Sequence, residues 1–253
     1  MLQRLGESES RASGDRDEAG RDGAGAEPPP PGFANLRGLP EFREFLAASE
    51  KLKEFDPFLL EQREQRLTFW INMYNVTALR CAVPAAENLP EAENTPGAEK
   101  NFSRRGSCNI GGATYSLDDI EYGILRNNAR RPYRPWRHFR FWDRRRRLAP
   151  QPPEPRVCFA LARPETRRLP RFFEAGALDG QLYQAAVDFL KQGGVVIDRD
   201  GQSIRLAPLL RECSADFGGD QGVIRFVAAH LEPSADAAFF YSQAGRVDIK
   251  FQK

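Results

Sequence analysis

Apolar positions recur along this chain at two spacings, one helical and one alternating, and together they predict most of its elements. Leu39, Phe42, Phe45 and Leu46 stand at helical spacing, and Pro40 suits a first helical turn. Asp56-Pro57 then opens a long helix over 56–82, with Asp56 as N-cap and Pro57 at its first position. Its seam is Leu60, Leu67, Ile71, Tyr74 and Ala78, widened by Phe69, Trp70 and Leu79, and Pro84 ends it. Residues 84–106 read as loop. Cys108-Asn109-Ile110 and Thr114-Tyr115-Ser116 flank Gly111-Gly112, which predicts a hairpin. Ser116, with Asp119 three residues on, caps a helix that buries Leu117, Ile120, Ile124 and Leu125. Residues 126–156 read as irregular, and the apolar run Val157 to Leu161 as a buried strand.

Further on, Leu178, Leu182, Ala185, Ala186, Phe189 and Leu190 predict an amphipathic helix closed by Gly193-Gly194. Val195-Val196-Ile197 and Ser203-Ile204-Arg205-Leu206 bracket Asp200-Gly201 as a second hairpin. Short helices follow at Pro208 to Cys213 and Gly222 to Leu231, and Val247 to Phe251 alternates as a last strand. The fold class these elements imply is α+β. It is a single mainly helical domain over 36–253, with short strands and two β-hairpins.

Composition changes the picture at the N-terminus. Residues 1–35 are Gly, Ala, Ser, Asp, Glu and Arg with almost no large apolar group, ending in Pro28-Pro29-Pro30-Pro31. Such a stretch buries too little surface to offset the entropy of ordering, so a disordered leader is expected. With 253 residues, the remainder is long enough for one sizeable core. No apolar stretch resembles a secretory signal or a membrane span, so no membrane partner is expected. The net charge of +2 carries no overall polyanion signature. Cys81, Cys108, Cys158 and Cys213 form no C-x-x-C pair, and with His138 and His230 they complete no zinc template. No metal and no cofactor are expected. The expected compartment is the cytoplasm, with the nucleus as alternative through the basic run Arg144-Arg145-Arg146-Arg147.

Several phrases resemble one family. Thr68-Phe69-Trp70-Ile71-Asn72-Met73-Tyr74-Asn75 is similar to its F-W-I-N-x-Y-N helix. Asn109-Ile110-Gly111-Gly112 through Tyr115 to Glu121, then Gly123-Ile124-Leu125-Arg126, is similar to its hairpin and I-E-x-G-I-L-R helix. Pro155-Arg156-Val157-Cys158-Phe159-Ala160-Leu161 resembles its P-R-x-x-F-A-L segment, and Asp216-Phe217-Gly218 its D-F-G. The chain thus resembles the domain of unknown function 547 family, over roughly 36–251. The D-F-G is no kinase signal, because no Gly-rich loop, strand lysine or H-R-D accompanies it.

The resemblance also implies a set of replaced positions. The family commonly has His where this chain has Arg80, Tyr122 and Cys158, and Cys-Gly where it has Arg163-Pro164. A second family Cys falls near Arg168-Leu169-Pro170. A thiolate nucleophile needs a base near neutral pKa. Arg cannot accept a proton there, and Tyr titrates too high. A Cys/His-based activity, if the family has one, is therefore lost here. Arg80, Tyr122, Cys158 and Arg163, with Asn72, Asn75 and Glu121, mark the candidate vestigial site.

Each candidate also has a structural reading. Asn72 and Asn75 stand at i and i+3, where Asn is a poor helix former. They read as buried amides tying helix to loop, or else as an oxyanion or substrate clamp. Asp118 and Asp119 read as first-turn acids, and Glu121 as a partner of Arg126 or Arg156. Cys158 reads as a packed small hydrophobe. Ten arginines lie between Arg126 and Arg147, interleaved with Tyr133, Trp136, Phe139, Phe141 and Trp142. This segment reads as a solvated linker, or as a phosphate or single-strand binder. The expected function is a non-catalytic interaction or scaffold domain with an unidentified protein partner. The alternatives are a Cys-dependent hydrolase or acyl transferase using Cys158 with His138 or His230, and weak polyanion binding through Arg144, Arg145, Arg146 and Arg147.

Overall fold

Asp56 does cap a helical turn, but not the long helix. Its carboxylate accepts from the Phe58 amide at 3.0 Å, above a 3-10 turn Pro57–Leu59. Leu60 is then extended, and the long helix α1 spans Arg63–Glu87. The turn stops because Leu60 leaves its carbonyl to the Arg66 side chain, whose Nε donates to it at 2.5 Å. At the other end α1 runs through Pro84 instead of stopping there. A proline late in a 25-residue helix removes one hydrogen bond, and the others hold.

The computed structural model describes Ala47, Ser49 and residues 51–87, 106–131, 134–163, 171–198, 203–231, 238–240 and 250–251. The side chains of 82–87 and 250–251 fall outside that description. The expected leader over 1–35, the helix near Leu39 to Leu46, Tyr133, Pro164 and Arg168 to Pro170 lie outside the described residues, as does the Asp200-Gly201 turn. The fold is α+β and mainly helical. The chain divides into two compact units, residues 1–121 with 161–173, and residues 122–160 with 174–253.

The first unit is built on α1 and a hairpin. From Ile71 to Leu79 every α1 residue except Asn72 is buried, so this stretch behaves as a core helix, not as a one-sided surface helix. Strands β1 (Ser107–Ile110) and β2 (Ala113–Ser116) pair antiparallel with Ile110 opposite Ala113. Gly111 and Gly112 have φ of 58° and 75°, the left-handed pair that a two-residue hairpin turn requires. A Cβ on Gly111 would also lie 2.9 Å from the Phe55 carbonyl oxygen. Phe55, Phe69, Trp70 and Tyr115 form a chain of ring contacts at 5.0–5.1 Å. Such pairs add to burial of the largest apolar groups.

The predicted capping box forms. Asp119 accepts from the Ser116 amide at 2.9 Å, and the Ser116 hydroxyl accepts from the Asp119 amide at 3.1 Å. The helix it opens is a π-helix, Asp119–Leu125, and Leu117, Ile120, Ile124 and Leu125 are buried as expected.

In the second unit, the run read as a buried strand is instead a short helix, α2 (Val157–Ala160). Five apolar residues carry no period, and here the amides of Val157, Cys158 and Phe159 close turns onto Glu154, Pro155 and Arg156. Helix α3 (Leu178–Phe189) buries Leu178, Leu182, Ala185 and Ala186 and ends through a π-turn, Leu190–Gly194. Strands β3 (Val195–Asp198) and β4 (Ser203–Leu206) pair antiparallel, and β5 (Lys250–Phe251) joins β4 in parallel. Helices α4 (Pro208–Glu212) and α5 (Asp220–His230) flank a 3-10 turn, Ser214–Phe217. The core of this unit is Leu190, Ile204, Leu206, Leu210, Val223, Val227, Ala228 and Phe240, with Phe159, Phe189, Phe217 and Phe226 packed against it.

Candidate functional site

Within the first unit, both motif asparagines hold backbone. Asn72 uses its amide as a strand edge would: Nδ2 donates to the Phe173 carbonyl at 2.8 Å, and Oδ1 accepts from the Phe173 amide at 2.9 Å. Asn75 is fully buried. Its Oδ1 accepts from the Ala162 amide at 2.7 Å, and its Nδ2 donates to the Arg171 carbonyl at 3.2 Å. Two amides one turn apart on α1 therefore pin the chain on both sides of residues 164–170. The cost of placing Asn in a helix is offset because each side chain satisfies two backbone groups. Each amide thus engages one N–H and its carbonyl oxygen with backbone.

The segment pinned by Asn75 carries Arg163. Its guanidinium forms a very short ion pair with the Glu121 carboxylate, and the two side chains are 11% and 5% exposed. Arg163 is thus a partner of Glu121 that the motif spacing did not mark. Arg163 reaches it because the Asn75 tie fixes Ala162, one residue before. The position where the family resemblance implies a cysteine thus holds a cation locked onto the glutamate of the I-E motif.

Arg80 lies on the same helix, with Nη1 donating to the Ser49 hydroxyl at 3.3 Å. Beside it, burial pushes the Cys81 thiol up, and the Arg80 charge offsets this in part. The Cys108 thiol is likewise pushed up by burial, with Thr77 and Arg80 opposing. At both positions burial thus disfavours the thiolate, the form that acts as nucleophile or metal ligand.

In the second unit, Tyr122 and Arg126 share one acidic partner. The Tyr122 hydroxyl donates to Glu212 Oε1 at 2.6 Å, and Arg126 lies over the Tyr122 ring at 5.0 Å. Arg126 is 3% exposed; its Nε binds Asp216 Oδ2 at 2.5 Å, its Nη1 lies 3.5 Å from Glu212 Oε1, and Nη2 donates to the Glu212 carbonyl. The aspartate of Asp216-Phe217-Gly218 is thereby a tie for the arginine of I-L-R. Nothing in the spacing marked Glu212, 90 residues from Tyr122. Arg156 pairs with Glu154 at 2.7 Å and with Asp179 at 2.7 Å.

Cys158 is buried on α2, as the packing reading expected, though in a helix. The two histidines of the alternative reading make the following contacts. Arg131 Nε donates to His138 Nδ1 at 2.9 Å, and its Nη2 faces His138 Nε2 at 3.3 Å. His230 holds its own helix, with Nδ1 at 2.8 Å from the Phe226 carbonyl, and its ring stacks on Phe226 at 4.0 Å. Among the described residues, no group of three or more His, Cys, Asp or Glu side chains is arranged to hold a metal ion. No helix among them is long and apolar enough to cross a membrane.

Signature positions tied into an α+β scaffold define a family by its framework. A family model described as "Protein of unknown function, DUF547" matches residues 59–190, over half the chain, and the chain belongs to that family. The matched stretch holds the asparagine helix, the hairpin, Glu121, Cys158 and Arg163, and stops before Asp216-Phe217-Gly218. Comparison with curated proteins and with solved structures gives no match.

Proposed function

We propose that this chain is a non-catalytic interaction domain that keeps the framework of its family and has turned its candidate Cys/His positions into structural ties. The observation that carries this reading is the Glu121–Arg163 ion pair. A guanidinium is permanently charged and cannot act as nucleophile or neutral-pH base, and here it also neutralises the one buried carboxylate of the I-E motif. The backbone ties made by Asn72 and Asn75 support the same reading, as does the hydrogen bond that Arg131 donates to His138 Nδ1. None of the four cysteines is in a disulfide, which suits a compartment that keeps thiols reduced, the cytoplasm or the nucleus.

The test is turnover. The full chain, assayed against activated esters, peptides and acyl donors, is expected to show no turnover above that of a heat-denatured sample. Turnover that disappears in Cys158→Ala, with the fold intact by circular dichroism, would overturn the proposal.

A further inference from the structure

The Arg-rich loop is an ordered platform and not a loose linker. Asn128 holds it from below: Nδ2 donates to the Phe139 carbonyl at 3.1 Å, and Oδ1 accepts from the Phe139 amide at 2.6 Å. The buried Phe139 ring sits on Gly123, where a Cβ would lie 2.3 Å from Phe139 Cε2. Arg130 and Arg137 form an antiparallel bridge across the loop. Asp143 caps a 3-10 turn, Arg144–Leu148, and takes the Arg145 guanidinium at 2.8 Å.

What this scaffold holds outward is unusual for a water-facing surface. Phe141 is 81% exposed, Trp142 62% and Trp136 61%. Folded chains seldom gather large aromatic rings in solvent unless something docks there. Guanidinium groups are interleaved with them: Arg134 lies 5.9 Å from the Trp136 ring centroid, and Arg140 5.1 Å from that of Trp142. Arg144, Arg146 and Arg147 add exposed positive charge on the capped turn. The single acidic residue between 127 and 147 is Asp143, whose carboxylate already serves the cap and Arg145.

We propose that this loop is a binding platform for single-stranded nucleic acid, with Trp136, Phe141 and Trp142 stacking on bases and the exposed arginines tracking phosphates. Single strands combine what the surface offers to meet, free π-faces and regularly spaced negative charge. A duplex hides its base faces. An anionic membrane also attracts arginine, but interfacial binding is made by an amphipathic helix with a continuous apolar face, and here the rings stand on irregular loop before a five-residue 3-10 turn. The proposal deepens the interaction reading by naming the partner class. The two fail separately: turnover dependent on Cys158 would sink the earlier reading and leave oligonucleotide binding as it stands.

The experiment is fluorescence anisotropy of a labelled oligouridine of about twelve nucleotides, within the span such platforms cover, titrated with the full chain at several salt concentrations. Binding is expected, weakening as salt rises, with the logarithmic slope reduced by about 0.7 for each phosphate contact removed in Arg146→Gln and Arg147→Gln. Trp142→Ala is expected to lose roughly tenfold in affinity, and Trp142→Phe to recover most of it, because any aromatic face can stack. Wild-type affinity in Trp136→Ala/Trp142→Ala, with heparin binding as tightly as the oligonucleotide, would reduce the loop to a charge patch and overturn the proposal. Association with phosphatidylserine vesicles without oligonucleotide binding would overturn it too, as would absence of binding at low salt.

Discussion

Arginine does opposite work in two kinds of place in this molecule. Arg163 and Arg126 are 11% and 3% exposed, and each is answered by carboxylates: Glu121 for the first, Asp216 and Glu212 for the second. Arg134, Arg140, Arg146 and Arg147 are exposed, on a loop with one acidic residue that is already engaged. A buried guanidinium is tolerated only with its partner in place, because desolvation penalises an uncompensated charge. An exposed one stays hydrated, adds little to stability, and remains available for a ligand. The same residue type therefore marks structure in one setting and binding in the other, and burial decides which.

The sharpest way to break this contrast is to remove a buried arginine. Arg163→Ala takes the guanidinium away from the buried Glu121 carboxylate, and an expected loss of about 3–5 kcal/mol follows, read as a fall in the denaturant midpoint. The double variant Glu121→Leu/Arg163→Leu should recover most of it. If Arg163→Ala unfolds no more readily than an exposed-loop variant, the pair is not the tie described here. Next in size is Asn72→Ala, which leaves the amide and carbonyl of buried Phe173 without their partner. Each such group costs about 1–3 kcal/mol. Hydrogen exchange should accelerate at the Phe173 amide ahead of any change in the β3–β4 hairpin. The smallest effect belongs to Arg140→Gln, where a change in stability within about 0.5 kcal/mol is expected. A loss of several kcal/mol there would mean that the exposed arginines also hold the fold.

Local chemistry made much of this structure legible. The Gly111-Gly112 turn, the Ser116–Asp119 capping box and the antiparallel β3–β4 pair follow from rules that act within a few residues. The errors lie where a local rule met a competing one. Asp56-Pro57 has the chemistry of a helix start, but Arg66 draws off the Leu60 carbonyl and moves the start to Arg63. Val157 to Leu161 is too short for its apolar run to separate strand from helix. At the candidate site, Asn72, Asn75 and Glu121 could be picked out by type and motif, and Cys158 as a packed thiol. Their partners could not: Phe173 lies 101 residues from Asn72, and Arg163 lies 42 from Glu121.

The sequence by itself determined the Gly111-Gly112 hairpin, the Ser116–Asp119 capping box and the buried seams of the long helices, and it carried the family resemblance through the asparagine helix. Only the tertiary structure decided what the polar signature residues do. Pairing between distant charges depends on which backbone arrives beside them, and that is set by packing. Thus Glu121 met Arg163, Asp216 became a partner of Arg126, and Trp136, Phe141 and Trp142 were left in solvent while Phe139 was taken into the core.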